Sequence, residues 1–206
     1  MARSEDLKTP LARLAFTQDL FKARAQEAGK PPKYGCTLLY AKTDNLDALR
    51  QLAVSVAVAE WGDKAVQWIK DGVIKNPFLD GDGPQAISKK SGERHPGFAG
   101  CTFIRVGSGE DFKPKIFDKK LNPITDPEAC YSGCYGYPVL NAYTWENEKN
   151  GKGISFGISM IQVVKDGDRL GGTGGPDPTS HYETIADEGA APAATKTGAG
   201  AAGLFA

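Results

Sequence analysis

The chain has 206 residues, enough for one domain of ordinary size or one domain with a tail. With 40% hydrophobic residues, 25 Gly and 13 Pro, its composition favours a loop-rich β domain over a helical bundle. Its formal net charge is zero, its longest apolar run (residues 52–59) contains a serine, and no apolar segment follows Met1-Ala2-Arg3-Ser4-Glu5-Asp6, so neither a membrane span nor a secretory signal is expected.

Residues 12–21 alternate, with Ala12, Leu14, Phe16, Gln18 and Leu20 on one face, and read as a strand. Gly29-Lys30-Pro31-Pro32 breaks the chain before a second strand over 34–40. Asp44 and Asn45 can cap a helix starting near Leu46, where Leu49, Leu52, Ala53, Val56, Ala57 and Trp61 follow helical spacing. It ends near Gly62 or restarts toward Trp68 and Ile69. Residues 71–97, punctuated by Gly and Pro, read as a long irregular excursion. Strands follow over 98–106, briefly over 114–117, then over 134–146 and 154–165, the last two joined by a turn at 148–153. From residue 173 the chain is rich in Gly, Ala, Pro and Thr, with little to bury, and reads as a flexible tail. Strands with one main helix between the second and third suit a mainly β, Greek-key barrel of the OB type.

The charges are unevenly placed. Residues 171–206 hold Asp177, Glu183, Asp187 and Glu188 against Lys196 alone, a net −3 that the remaining body balances with +3. Within the body, residues 84–120 concentrate Lys89, Lys90, Arg94, Arg105, Lys113, Lys115, Lys119 and Lys120. A basic body with an acidic tail fits a polyanion partner, and it equally fits a solvated surface. Of the cysteines, Cys130 and Cys134 have a spacing zinc tolerates, but Cys36 and Cys101 stand alone in apolar strands and neither histidine lies near a pair. Structural thiols are the better reading.

No nucleophile elbow, phosphate-binding loop or metalloprotease motif is present. Asp80-Gly81-Asp82 lacks a third acidic ligand and reads as a turn, as does Asp166-Gly167-Asp168. No catalysis, metal or cofactor is expected. The informative segment is 135–145, where Tyr135, Tyr137, Val139, Asn141, Tyr143 and Trp145 share one face and Gly136, Pro138, Leu140, Ala142 and Thr144 the other. The aromatic face is either a core or an exposed platform on which nucleobases stack while nearby Lys and Arg neutralise phosphates.

Several pieces resemble the OB-fold single-stranded-DNA-binding proteins of tailed bacteriophages. They are Trp61-Gly62 at the helix end, Pro77-Phe78-Leu79-Asp80-Gly81-Asp82, Tyr131-Ser132-Gly133-Cys134-Tyr135, and Gly153-Ile154-Ser155-Phe156-Gly157-Ile158 running on through residues 161–172. The resemblance, over about residues 10–172, implies a non-enzymatic protein that coats and protects single-stranded DNA in the host cytoplasm during phage replication, recombination or repair, with replication or recombination enzymes as partners; duplex DNA as a further ligand is left open by the sequence. In such proteins an acidic C-terminal tail often occupies the DNA groove or recruits partners. Here the tail is mostly Ala and Gly and ends Leu204-Phe205-Ala206. On this reading residues 1–172 bind DNA and 173–206 form the tail. Tyr135, Tyr137, Tyr143, Trp145 and Phe103 are the stacking candidates, and the eight basic residues of 84–120 are the phosphate candidates. The rival is a protein-interaction β module with the aromatic strand as its core.

Overall fold

A computed structural model describes residues 1–25 and 29–171. The expected tail lies outside them. In chain order the elements are β1 (Leu7–Lys8), β2 (Ala12–Ala15), β3 (Lys33–Ala41), α1 (Asp47–Trp61), α2 (Lys64–Lys70), β4 (Ile74–Lys75), β5 (Leu79–Asp80), β6 (Cys101–Gly109), β7 (Lys115–Phe117), β8 (Tyr135–Asn147) and β9 (Gly151–Lys165). Five of them close on themselves. β8 pairs with β2, β2 with β3, β3 with β6, β6 with β9, and β9 returns to β8. Every pairing in this ring is antiparallel except β6 with β9. A meander of three strands whose third lies parallel to the last is the five-stranded Greek-key barrel of the OB type.

The alternation of side chains along each strand sets what the barrel encloses. Leu14, Leu38, Ile104, Val106, Leu140, Ala142, Phe156 and Ile158 point inward and are buried, joined by Leu49, Ala53, Val56 and Ala57 from one face of α1. The helix starts after a turn in which the Asp44 carboxylate accepts the Ala41 N–H at 2.8 Å. It stops at Gly62, whose φ of 67° turns the chain into α2. The small apolar face of 135–145 therefore lines the interior, and the aromatic face points out of the barrel, half-buried. This overturns the reading of the aromatic strand as a core. Asn141 is the exception on the outward face. The N-terminal segment covers it, with Arg3 Nε donating to its Oδ1 and its Nδ2 donating to Asp6, both at 3.0 Å.

A second, smaller core lies outside the barrel wall. Ala15, Leu39 and Phe103 project outward from β2, β3 and β6 and are covered by Ala86 and Phe98 of the excursion. Phe103 is 0% exposed and packs edge-on against Phe98 at 5.0 Å. It cannot offer a face to a nucleobase, which corrects its assignment as a stacking residue.

Three further expectations are corrected in detail. Residues 12–21 are not one strand: β2 ends at Ala15, Phe16 takes a left-handed conformation, and a 3-10 turn over Thr17–Leu20 delivers Leu20 to the core. The alternation beyond Ala15 has no structural counterpart. The excursion is not wholly irregular, because β4 pairs with β9 and β5 with β6. Two-residue strands carry no periodicity and exist only through those tertiary pairings. The strand expected from residue 98 starts at Cys101, since Phe98 sits in the turn that covers the second core.

Leu140→Ala removes a fully buried side chain from the centre of the barrel wall and should cost about 2–5 kcal/mol in urea unfolding. Tyr137→Ala, from the outward face of the same strand, should cost far less. An unchanged midpoint for Leu140→Ala would mean that the faces are reversed.

Candidate nucleic-acid interface

The parallel register of β6 and β9 sets Val106 beside Phe156 and Gly107 beside Gly157. The antiparallel register of β9 and β8 then pairs Gly157 with Asn141, Ser155 with Tyr143 and Gly153 with Trp145. Three outward rows therefore cross the sheet: Gly107–Gly157–Asn141, then Arg105–Ser155–Tyr143, then Lys75–Gly153–Trp145, where β4 has replaced β6 beside β9. Glycine keeps this floor low. A Cβ on Gly153 would collide with the Trp145 indole, so the ring lies directly on bare backbone. A Cβ on Gly157 would meet Asn141 Oδ1 at 2.6 Å.

Two adjoining concavities follow these rows. One is lined by Lys75, Asn76, Pro77, Leu79, Gln85, Arg105, Trp145 and Ser155. The other is lined by Arg3, Lys33, Ser108, Asp111, Phe112, Lys113, Lys115, Tyr143 and Gly157. Ser155 and Tyr143 are register partners, so the concavities meet along one row and form a single groove across β6, β9 and β8.

The aromatic groups are held in place. Trp145 Nε1 donates to Ser155 Oγ at 2.9 Å, and Lys75 Nζ lies 5.7 Å from the ring centroid. Burial pushes the Tyr143 phenol up, with the Ser155 hydroxyl acting against that shift. Arg105 donates to the Gln85 carbonyl at 3.0 Å and lies over the Phe103 ring at 5.4 Å. Its partial burial lowers its pKa from the usual guanidinium value, and it remains charged. Among the described residues, none of Arg3, Lys75, Arg105, Lys113 and Lys115 has a carboxylate within ion-pair distance. Elsewhere on the surface Lys42, Arg50, Lys152 and Arg169 each do. The groove thus collects more cations than carboxylates, Asp111 being the acidic side chain in its lining.

The structure divides the sequence-derived residues into three groups. Tyr143, Trp145, Arg105, Lys113 and Lys115 meet in the groove. Tyr135 and Tyr137 sit at the other end of β8, under Lys165 at 5.3 Å, Arg13 at 5.7 Å and Lys8 at 4.7 Å. The turn bearing Lys119 and Lys120 lies beside them, since Gln162, the register partner of Tyr137, donates to the Lys119 carbonyl at 3.4 Å. Lys89, Lys90 and Arg94 belong to a hairpin in the excursion, and Arg94 faces Asp82 at 3.7 Å. Sequence reasoning missed Lys75, Lys33, Arg3 and Phe112. Phe112 carried a signal, being an aromatic between Asp111 and Lys113 with no apolar partner at core spacing, and it is 74% exposed. Lys75 carried none, because β4 is defined only by its pairing with β9.

Asp80 and Asp82 converge on the Lys42 ammonium, each at 2.8 Å. Hydrogen bonds from that ammonium hold both carboxyls below their usual range. The Asp80-Gly81-Asp82 turn is thus a clamp on Lys42, just past the end of β3, and Gly81 is required there because a Cβ would run into the Phe98 carbonyl.

Residues 5–191 match the family described as Enterobacter phage Enc34, ssDNA-binding protein. Among curated proteins the chain is similar to protein p50 of Acyrthosiphon pisum secondary endosymbiont phage 1, with 27% identity over 82% of this chain and 88% of that one. Among solved structures it is similar to the single-stranded DNA-binding protein of bacteriophage Enc34 in complex with ssDNA, at 21% identity and a TM-score of 0.56, covering 81% of this chain and 89% of that one. It is also similar to gp2.5, a single-stranded DNA binding protein encoded by bacteriophage T7, at 11% identity and a TM-score of 0.53, covering 92% and 99%. These structural likenesses extend the OB-type fold across the described domain.

Gly153→Ala tests the construction of the floor. The added methyl must lift the Trp145 indole and break its bond to Ser155, so the near-UV circular dichroism of Trp145, assigned by difference from Trp145→Phe, should be lost. The overpacking should cost about 1–3 kcal/mol. A variant with the Trp145 signal intact would show that the ring does not rest on Gly153.

Proposed function

The chain belongs to the family of the Enterobacter phage Enc34 ssDNA-binding protein, and from that premise we propose that it binds single-stranded DNA along the groove across β6, β9 and β8. The observation that carries this reading is the convergence of Tyr143 and Trp145 with five cations that have no carboxylate partner among the described residues, on a floor kept low by glycine. Phosphates supply the missing negative charge, and unpaired bases stack on the rings. Bases inside a duplex have their faces already covered by neighbours, so this chemistry favours a single strand. Every base has a π-face, so the binding has little sequence preference.

In this reading Trp145 and Tyr143 are the stacking residues, while Lys75, Arg105, Lys113, Lys115 and Arg3 contact phosphates. Residues 1–172 carry the binding, and residues 173–206 hold a net −3. Tyr135 and Tyr137 with Lys119 and Lys120 lie outside the groove and are a flanking contact for a longer strand. The protein coats and protects single strands in the host cytoplasm during phage replication, recombination or repair. Its protein partners are the enzymes acting on the same DNA, and no bond is made or broken by the protein itself.

With about five phosphate contacts, the logarithm of affinity should fall against the logarithm of salt with a slope of about −3 to −4. Trp145→Ala and Tyr143→Ala should each weaken oligonucleotide binding by about 1–3 kcal/mol while leaving that slope unchanged. Lys113→Ala with Lys115→Ala should flatten it by about 1.4. Titrations of labelled oligo(dT) at several salt concentrations read both quantities. Affinity independent of salt, or unaffected by loss of either ring, would remove the groove as the binding surface.

A further inference from the structure

The excursion holds a second aromatic and basic surface that the groove does not use. Phe16 has φ 56° and ψ 41°, a left-handed conformation rare for a bulky side chain, and the residue is 48% exposed. Beneath it lie His95, edge-on at a centroid distance of 5.1 Å, and Phe98 at 6.1 Å. The edge-on contact braces the ring without covering it as a stacked neighbour would.

This ring lies next to the groove in the fold. The 3-10 turn Pro84–Ala86 links the two through consecutive carbonyls: Gln85 O accepts from Arg105 of the groove at 3.0 Å, and Ala86 O accepts the His95 N–H at 2.9 Å. Just beyond, residues 87–94 form a hairpin closed by Ile87 and Arg94, with Lys89 and Lys90 exposed toward its tip. Among the described residues neither lysine has a carboxylate within ion-pair distance, while Arg94 lies 3.7 Å from Asp82. Glu93 is the hairpin's carboxylate.

We infer that Phe16, braced edge-on by His95, forms a second base-stacking platform, which takes the same single strand after it leaves the groove past Arg105 and Gln85, with Lys89 and Lys90 on its phosphates. The inference rests on the groove reading above and extends the occluded stretch of DNA beyond the groove. It also gives a role to an exposed aromatic held in a costly backbone conformation, an arrangement that surface solvation alone does not favour.

The test is a ladder of labelled oligo(dT) of increasing length, titrated against the full chain and its variants. Wild-type affinity should rise in a second step once the oligonucleotide outgrows the groove. Phe16→Asn keeps a residue that tolerates the left-handed conformation but removes the ring. It should bind the shortest oligonucleotides within twofold of wild type and lose about tenfold on those beyond the step. Lys89→Ala with Lys90→Ala, both on an exposed hairpin, should flatten the salt slope by about 1.4 for long oligonucleotides only. If Phe16→Asn lowers the thermal midpoint, the lysine pair decides alone. Variants that bind every length as wild type does, or that weaken short and long oligonucleotides equally, overturn the platform. Trp145→Ala with unchanged affinity for the shortest oligonucleotides would instead overturn the groove, an outcome distinct from either.

Discussion

The parallel pairing of β6 with β9, at Val106 with Phe156 and Gly107 with Gly157, is the constraint on which the rest depends. It closes the barrel and at the same time fixes which outward residues stand in one row. A slip of one residue would send Arg105 inward and bring Ile104 to the surface, because the period of a strand is two. Few rungs join these strands, yet the long ladders on either side, β3 with β6 and β8 with β9, hold the register from both flanks. The rows of the groove are therefore a consequence of closure, and the inward set of Ile104, Val106, Phe156 and Ile158 enforces it energetically.

Charge on the surface is sorted by position. Cations that secure the fold have acidic partners: Lys42 is held between Asp80 and Asp82, and Arg169 pairs with Glu128 at 2.8 Å. The Lys42 clamp is intact above the usual carboxylate range and loosens as pH falls through the lowered pKa values of Asp80 and Asp82. These groups are solvated, so the clamp positions the turn more than it stabilises the domain. Among the described residues the groove cations have no carboxylate within ion-pair distance, which leaves more of their field to act outward.

Much of the barrel was legible because its strands alternate. Leu140 and Ala142 against Tyr143 and Trp145 is a two-sided pattern, and the inner face is the small apolar one. The helix was legible through the spacing from Leu49 to Trp61 and the Gly62 stop. The walls of the groove were not. β4 and β5 are two residues each and leave no periodic trace, so Lys75 could not be placed. Phe103 looked like any strand aromatic, and only the excursion folding back over it, through Phe98, removes it from solvent. The eight basic residues of 84–120 formed one cluster along the chain but separate into three places, because the hairpin, β6 and the β7 turn point to different parts of the surface.

The short strand β4 has a kinetic meaning. It runs parallel to β9, with Ile74 beside Lys152 and Lys75 beside Gly153, so one wall of the groove hangs from the strand that forms its floor. Wall and floor move together, and spreading them would break a backbone ladder. A site assembled in advance demands little ordering when it is filled. For the proposed binding in this groove, capture is then governed by diffusion and by attraction between opposite charges.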